Sequence, residues 1–302
     1  RLKRVGITGK DMNKPHQPHV AEMGGLVLAA GFCMGIITAI GIKTFFSHLL
    51  SIDLLSMLGA LSVVLVVCLI GVVDDLIRVR QGAKAIFPMV ASLPLIATKA
   101  GATIISIPFI GPINLGLFYS LVLVPIGITG SANAFNMLAG FNGLEAGMGL
   151  IVIASLGIIA YFLKATTSLV VLVAALGALI ATLRYNWYPS KIFLGDVGTF
   201  SIGAIVATAV IVGNFEWAGI IIIIPYAFDA FFKLIHGLPS SGWWGTYKNG
   251  KLYCPSSGPL GLCQLIMRWS GGITERNLVL VLMGIEAIFG SIAIICYLWF
   301  LK

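Results

Sequence analysis

Residues 54–84 read LLSMLGALSVVLVVCLIGVVDDLIRVRQGAK. From Leu54 to Val73 there is no charged side chain, and as a helix rising about 1.5 Å per residue this run is long enough to cross the hydrocarbon core of a bilayer. It then meets an acid pair, Asp74–Asp75, and a basic trio, Arg78, Arg80 and Lys84. Carboxylates at a helix C-terminus oppose the helix dipole, and adjacent ones repel each other. A pairing with Arg78 at i,i+4 or i,i+3 is the simple structural explanation. A divalent cation, or a phosphate held by one, would neutralise the same arrangement.

Working outward, comparable apolar runs fall at about 24–42, 86–99, 115–130, 146–163, 167–183, 198–213, 217–235 and 278–300. The chain is 59% hydrophobic and only 10% charged, more apolar surface than a soluble domain can bury. These features predict an all-α polytopic membrane protein with nine transmembrane helices. It is read as a single integral-membrane domain over 1–302, with a cytoplasmic loop insertion at about 237–276. Within that loop Asn249–Gly250 predicts a β-hairpin, LGLCQLIMRW an interfacial helix, and Trp243 and Trp244 membrane-interface anchors. Five cysteines without a C-x-x-C pair read as reduced thiols.

The net charge of +8 would suit nucleic acid in a soluble protein. In a membrane protein Lys and Arg instead mark cytoplasmic loops. Nine crossings divide the basic residues fifteen to four, and the richer side holds the N-terminal segment, the loop after Asp75, Arg184, Lys191 and the loop before the last span. The same side collects His16, His19, Glu22, Asp74, Asp75, Asn133, Asn136, Asn142, Glu145, Asp196 and His236. Polar groups strung across the bilayer would predict a transport path. Clustering at one face predicts a site shared by a water-soluble substrate and something held in the membrane.

Three further stretches carry chemistry. In GSANAFNMLAGFNGLEAGMG, residues 130–149, Asn133 and Asn136 share a helix face, and side-chain amides suit both hard cations and nucleobase edges. Asn142 and Glu145 have the spacing of a capping box for the next helix. In FLGDVGTF, Asp196 is placed either to N-cap a helix or to ligate metal. In GKDMNKPHQPHVAEMGG, prolines rule out a helical zinc pair of histidines, and a nucleotide-facing loop with Asp11 and Glu22 reads better. Intramembrane Asp229 has Lys233 at i,i+4, whereas Glu286 has no evident partner.

Taken together and in order, KDMNK…AEMGG, DDL with Lys84, NAFNMLAGFNGLEAG, FLGD, NGKL and ITERNL resemble the polyprenyl-phosphate N-acetylhexosamine-1-phosphate transferase family over essentially the whole chain. The likeness is strongest to the archaeal and eukaryotic branch that makes dolichyl-diphosphate-GlcNAc, the first step of lipid-linked oligosaccharide synthesis for N-glycosylation. It implies a ten-helix fold, the first helix preceding Arg1. It also implies transfer of GlcNAc-1-phosphate from UDP-GlcNAc to a polyprenyl or dolichyl phosphate, with release of UMP. Carried over by motif position, Asp74 and Asp75 are catalytic, and Asn136 and Asp196 hold Mg²⁺, with Mn²⁺ as an alternative. Lys10, Asp11, Met12, Glu22 and Asn142 bind the UDP-sugar. Lys84, Thr129 and Asn133 bind the lipid phosphate. His236 and Arg78 remain open assignments, and Arg78 stands where the family more often has Asp or Asn. HGLPSSGWWG replaces an arginine- and histidine-rich run that grips the sugar in that branch, so a sibling enzyme for another UDP-N-acetylhexosamine stays an alternative. A nucleotide-sugar or cation-coupled transporter using Asp229 and Glu286 is the distant one. The implied partners are UDP-GlcNAc, the lipid phosphate and membrane lipids, not nucleic acid, with a homodimer left open. The implied location is a plasma or ER membrane, with the site at its cytoplasmic face.

Overall fold

The computed structural model describes residues 2–77, 79–107, 111–239 and 241–300. The chain opens with a short antiparallel pair, β1 (Thr8–Lys10) and β2 (His19–Ala21), in which Gly9 faces Val20. Helices α1 (Gly25–Phe45) and α2 (Leu54–Ile77) follow, then the shorter α3 (Gln81–Ala91) and α4 (Leu93–Ala97). A hairpin of β3 (Ile104–Ile107) and β4 (Gly111–Asn114) leads into a π-helical turn at Tyr119–Leu123, which runs on into α5 (Val124–Met137). Next come α6 (Leu144–Phe162), α7 (Thr166–Asn186), α8 (Gly195–Gly213), α9 (Glu216–Ile222) and α10 (Ile224–Ile235). A hairpin of β5 (Thr246–Lys248) and β6 (Lys251–Tyr253), then α11 (Leu262–Trp269) and α12 (Glu275–Phe300), complete the chain.

Among the described residues seven helices are long and apolar enough to cross a bilayer: α1, α2, the Tyr119–Met137 unit, α6, α7, α8 and α12. Helices α9 and α10 make an eighth if counted as one span bent by 57°. Pro225 accounts for the bend, since it lacks an N–H and its ring crowds the carbonyl four residues back. The run expected as a ninth span, 86–99, lies in α3 and α4, which part at Ser92 just before Pro94 and together fall short of a span. Helix length alone gives seven or eight of the nine expected spans; the α3–α4 unit is shorter and divided near its prolines, yet it runs from Lys84 beside Asp74 to Thr98 beside Gly59 towards the other end of α2.

Helix α8 is the axis of the bundle, almost wholly buried and packed against α1, α2, α5 and α7. Small residues permit that approach, as in other membrane helix pairs. A Cβ on Gly71 of α2 would come within 2.5 Å of Val197 Cα, so the backbones of α2 and α8 meet there directly. The outer helices turn Leu55, Leu58, Leu65 and Leu69 of α2 and Ile288, Ile292 and Ile295 of α12 outward, the apolar surface that lipid would cover.

The turn expected at Asn249–Gly250 forms: both residues have positive φ, 46° and 81°, and Lys248 faces Lys251 across it. On α11 the side chains of Leu262, Cys263, Ile266 and Met267 are buried while Trp269 is exposed. Trp243, half-buried, packs edge-on to Phe141 at 6.0 Å and lies over Gly140, covering the α5–α6 turn.

Candidate active site

The last turn of α2 delivers two carboxylates with different partners. Asp75 reaches the start of α8: its Oδ1 accepts the N–H of Asp196 at 2.9 Å and its Oδ2 that of Val197 at 3.3 Å. Gly195, at φ +69°, has no room for a side chain beside this carboxylate. Asp75 thus satisfies amides that a helix start leaves unpaired. Asp196, expected as the N-cap, sits instead inside the first turn with its side chain released from capping.

That release brings Asp196 to Asp74. Lys84, on the first turn of α3, places its Nζ 2.5 Å from Asp74 Oδ2 and also pairs with Asp196 Oδ2. Asp74 Oδ1 accepts the Val79 N–H at 2.8 Å, and the Phe200 ring lies 5.4 Å from the ammonium. Burial pulls the Lys84 pKa down, but the Asp196 and Asp74 carboxylates outweigh it and hold the group above its ordinary value. Arg78, the other expected partner of the acid pair, lies outside the described residues.

The amides join the same network. Asn136 Oδ1 accepts a hydrogen bond from Thr199 Oγ1 at 2.9 Å, and Thr199 Oγ1 is also 3.3 Å from the Asp196 carbonyl oxygen. Asn133 donates to Thr129 O at 2.8 Å and to Ala85 O at 3.0 Å, tying α5 to α3 beside Lys84. Thr129 Oγ1 is buried with no hydrogen-bond partner among the described residues. Asp74, Asp196 and Asn136 offer hard oxygens to one region. Such a set suits a small divalent cation that keeps sites for phosphate, and among the described residues no His, Cys, Asp and Glu group forms a full protein cage.

A second network builds the neighbouring wall. Asn142 donates from Nδ2 to Asp11 Oδ2 at 3.0 Å and to Glu275 Oε1 at 2.9 Å, and its Oδ1 accepts the Ser190 N–H at 2.6 Å. Lys14 pairs with Glu275, lies 3.4 Å from Asp11 Oδ2 and sits 4.3 Å from the Tyr188 ring centroid. Asn13 bridges Gly140 O and the Gly245 N–H at 3.2 Å each. The capping box expected of Asn142 and Glu145 does not form, because long-range partners claim Asn142 and Glu145 Oε1 accepts the Gly140 N–H at 2.6 Å. Residues Met12, Lys14 and His16 of the loop, with Trp244 and Tyr247 opposite, line a cavity of about 600 Å³. This opening lies beside the N-terminal loop rather than at the Asp74–Asp196 cluster.

Of the sequence-predicted residues, Asp74, Asp75, Lys84, Asn136, Asp196, Asn133 and Thr129 lie in or beside the acid–amide cluster. Asp11, Met12 and Asn142 belong to the loop wall. Glu22 follows β2 and lies against Gly9, whereas Lys10 at the end of β1 is exposed. His236 stands apart, its Nδ1 2.7 Å from Phe232 O on its own helix. Thr199, Lys14, Asn13 and Glu275 were given no site role from sequence, although KDMNK contains Asn13 and Lys14, FLGDVGTF contains Thr199 and ITERNL contains Glu275.

Residues 57–214, which run from α2 to the end of α8, match the family described as glycosyl transferase family 4. The chain belongs to glycosyl transferase family 4. This family region contains Asp74, Asp75, Lys84, Asn136 and Asp196, while the N-terminal loop and Glu275 flank it. A Saccharolobus solfataricus protein, named as a candidate UDP-N-acetylglucosamine–dolichyl-phosphate N-acetylglucosaminephosphotransferase, is 37% identical over 98% of this chain and 89% of its own length. A Dictyostelium discoideum protein named for that activity is 28% identical over 93% of this chain and 79% of its own length. A Streptococcus pyogenes phospho-N-acetylmuramoyl-pentapeptide-transferase is 28% identical over 76% of this chain and 70% of its own length. Similarity thus extends to a relative named for phospho-N-acetylmuramoyl-pentapeptide transfer.

Proposed function

We propose that this chain is an integral-membrane enzyme that transfers GlcNAc-1-phosphate from UDP-GlcNAc to a polyprenyl or dolichyl phosphate. An oxygen of the lipid phosphate attacks the β-phosphorus of the donor. The bond from that phosphorus to the bridging oxygen breaks, UMP departs, and GlcNAc remains on a lipid diphosphate. The observation that carries this reading is the meeting of Asp74, Lys84 and Asp196, from three helices, at one end of a membrane bundle, with Asn136 of a fourth joined to them through Thr199.

Bringing a phosphate monoester up to a diphosphate is opposed by their like charges, so catalysis rests on charge offset and positioning. Asp196 and Asn136 are suited to hold Mg²⁺, which when bound would screen the diphosphate and polarise its oxygens. Lys84 offers an ammonium to phosphate oxygens. Asp74 is suited to orient the lipid phosphate or accept its proton. The loop around Asp11 and Met12, braced by Asn142, is suited to the uridine end of the donor. The excess of basic loop residues at this end of the bundle supports a cytoplasmic orientation.

The test is incubation of purified protein with labelled UDP-GlcNAc, polyprenyl phosphate and Mg²⁺. UMP and a lipid-linked sugar should appear together, and Asp196→Ala should abolish both. Substrate crossing sealed vesicles without UMP release would favour a carrier instead, although the one-ended polar cluster argues against that. The stretch HGLPSSGWWG supports keeping a sibling donor in view, so a panel of UDP-N-acetylhexosamines should be compared by UMP release.

A further inference from the structure

Asp74 and Asp196 come from different helices and turn their Oδ2 atoms to one ammonium, that of Lys84. The Asp74 side chain is 5% exposed, that of Lys84 13% and that of Asp196 27%, so water screens the Asp74 contact least. The base of the lysine is fixed, because Asn133 holds the carbonyl of the next residue, Ala85. Its head is not fixed in the same way: four methylenes and a compact ammonium with three rotatable donors can swing without moving α3. Asp196 is also a proposed ligand of the divalent cation, which would compete with the ammonium for its Oδ2. An ammonium and such a cation repel each other and cannot both sit against that oxygen.

We propose that Lys84 is the built-in counter-ion of the Asp74–Asp196 pair, and that through it a divalent cation and the donor's diphosphate bind cooperatively. A cation that arrives alone must displace the ammonium from Asp196 and leave it with one anion fewer. A cation that arrives with a diphosphate releases the ammonium onto phosphate oxygens, where it forms charge-assisted hydrogen bonds. The loss in the first case is recovered in the second, so each ligand raises the affinity of the other by the same factor. Lys84 is then a coupling device as well as a phosphate contact. The inference rests on the metal reading given under Proposed function.

The experiment is Mn²⁺ binding, read by electron paramagnetic resonance of the free ion, on wild type, Lys84→Met and Lys84→Arg. Each is measured with and without saturating UDP, which carries the donor's diphosphate without the sugar, and thermal unfolding checks the fold. Wild type should bind Mn²⁺ about tenfold or more tightly when UDP is present. Lys84→Met should bind Mn²⁺ more tightly than wild type without UDP, and its coupling should fall below about threefold. Lys84→Arg should retain coupling. If the methionine variant does not fold, Lys84→Gln, neutral but able to donate to a carboxylate, takes its place. A folded neutral variant with wild-type coupling, or a wild type whose Mn²⁺ affinity ignores UDP, would overturn the proposal and leave the metal reading standing. A wild type that takes up no Mn²⁺ under either condition would overturn both.

Discussion

Asp75 on α2 accepts the backbone N–H of Asp196 on α8, 121 residues away, at 2.9 Å. This bond separates the roles of two adjacent acids: Asp75 caps a helix, and Asp74 faces Lys84. Asp75→Ala should therefore destabilise the protein by about 1–2 kcal/mol, the range for a lost helix cap. Asp74→Asn should leave thermal stability near wild type while activity collapses. Equal unfolding temperatures for Asp75→Ala and wild type would refute the capping role.

Thr199 donates to Asn136 and sits above the Asp196 carbonyl, so it orients a proposed metal ligand without needing to touch metal. Thr199→Val should raise the Mg²⁺ concentration needed for half-maximal activity by about tenfold, the lower end of what lost outer partners of metal ligands cost. Asn136→Ala should raise it further. A Mg²⁺ titration of UMP release in which Thr199→Val overlays wild type would remove Thr199 from the site.

Glu275 anchors the loop wall through Lys14 and Asn142. Replacing one partner of a buried ion pair leaves the other charge uncompensated, at a cost of about 3 kcal/mol. Glu275→Gln should keep the amide contact to Asn142 yet loosen residues 11–17. The readouts are faster proteolysis of that loop and a raised KM for the donor, with kcat changed less. An unaltered KM would count against the loop as donor wall.

Glu286 is fully buried in α12, and neither carboxylate oxygen has a hydrogen-bond partner among the described residues. A buried acid in this position is costly. Glu286→Leu should raise the unfolding temperature and preserve transferase activity. Loss of activity without gain in stability would assign this acid a function that its surroundings do not reveal.

The bundle was legible in sequence because its signal is local. Uncharged runs of membrane length mark the spans, and Asn249–Gly250 marks a hairpin through the φ values its turn requires. The acid–amide cluster was legible because each member lies at the end of an apolar run, where a side chain can meet partners from other helices. What escaped was set at long range. Spacing rules gave Asp196 its own cap and joined Asn142 to Glu145, but the partners that prevail are Asp75 for the first and Glu275, 133 residues away, for Asn142. Trp243 has the composition of a headgroup anchor and also covers the bare backbone at Gly140. Local rules cannot weigh a neighbour they do not see.

Helix α2 has 24 residues, roughly 36 Å of helix at 1.5 Å per residue, against a hydrocarbon core of about 30 Å. Counted from Leu54, the uncharged run to Val73 already covers that core, which would leave the final turn, bearing Asp74, at the depth where lipid headgroups ride. A phosphate on a long isoprenoid tail is delivered to that depth by its own anchor, so its search for the enzyme is confined to a plane and its reactive end arrives already levelled. The protein needs only to seize it sideways.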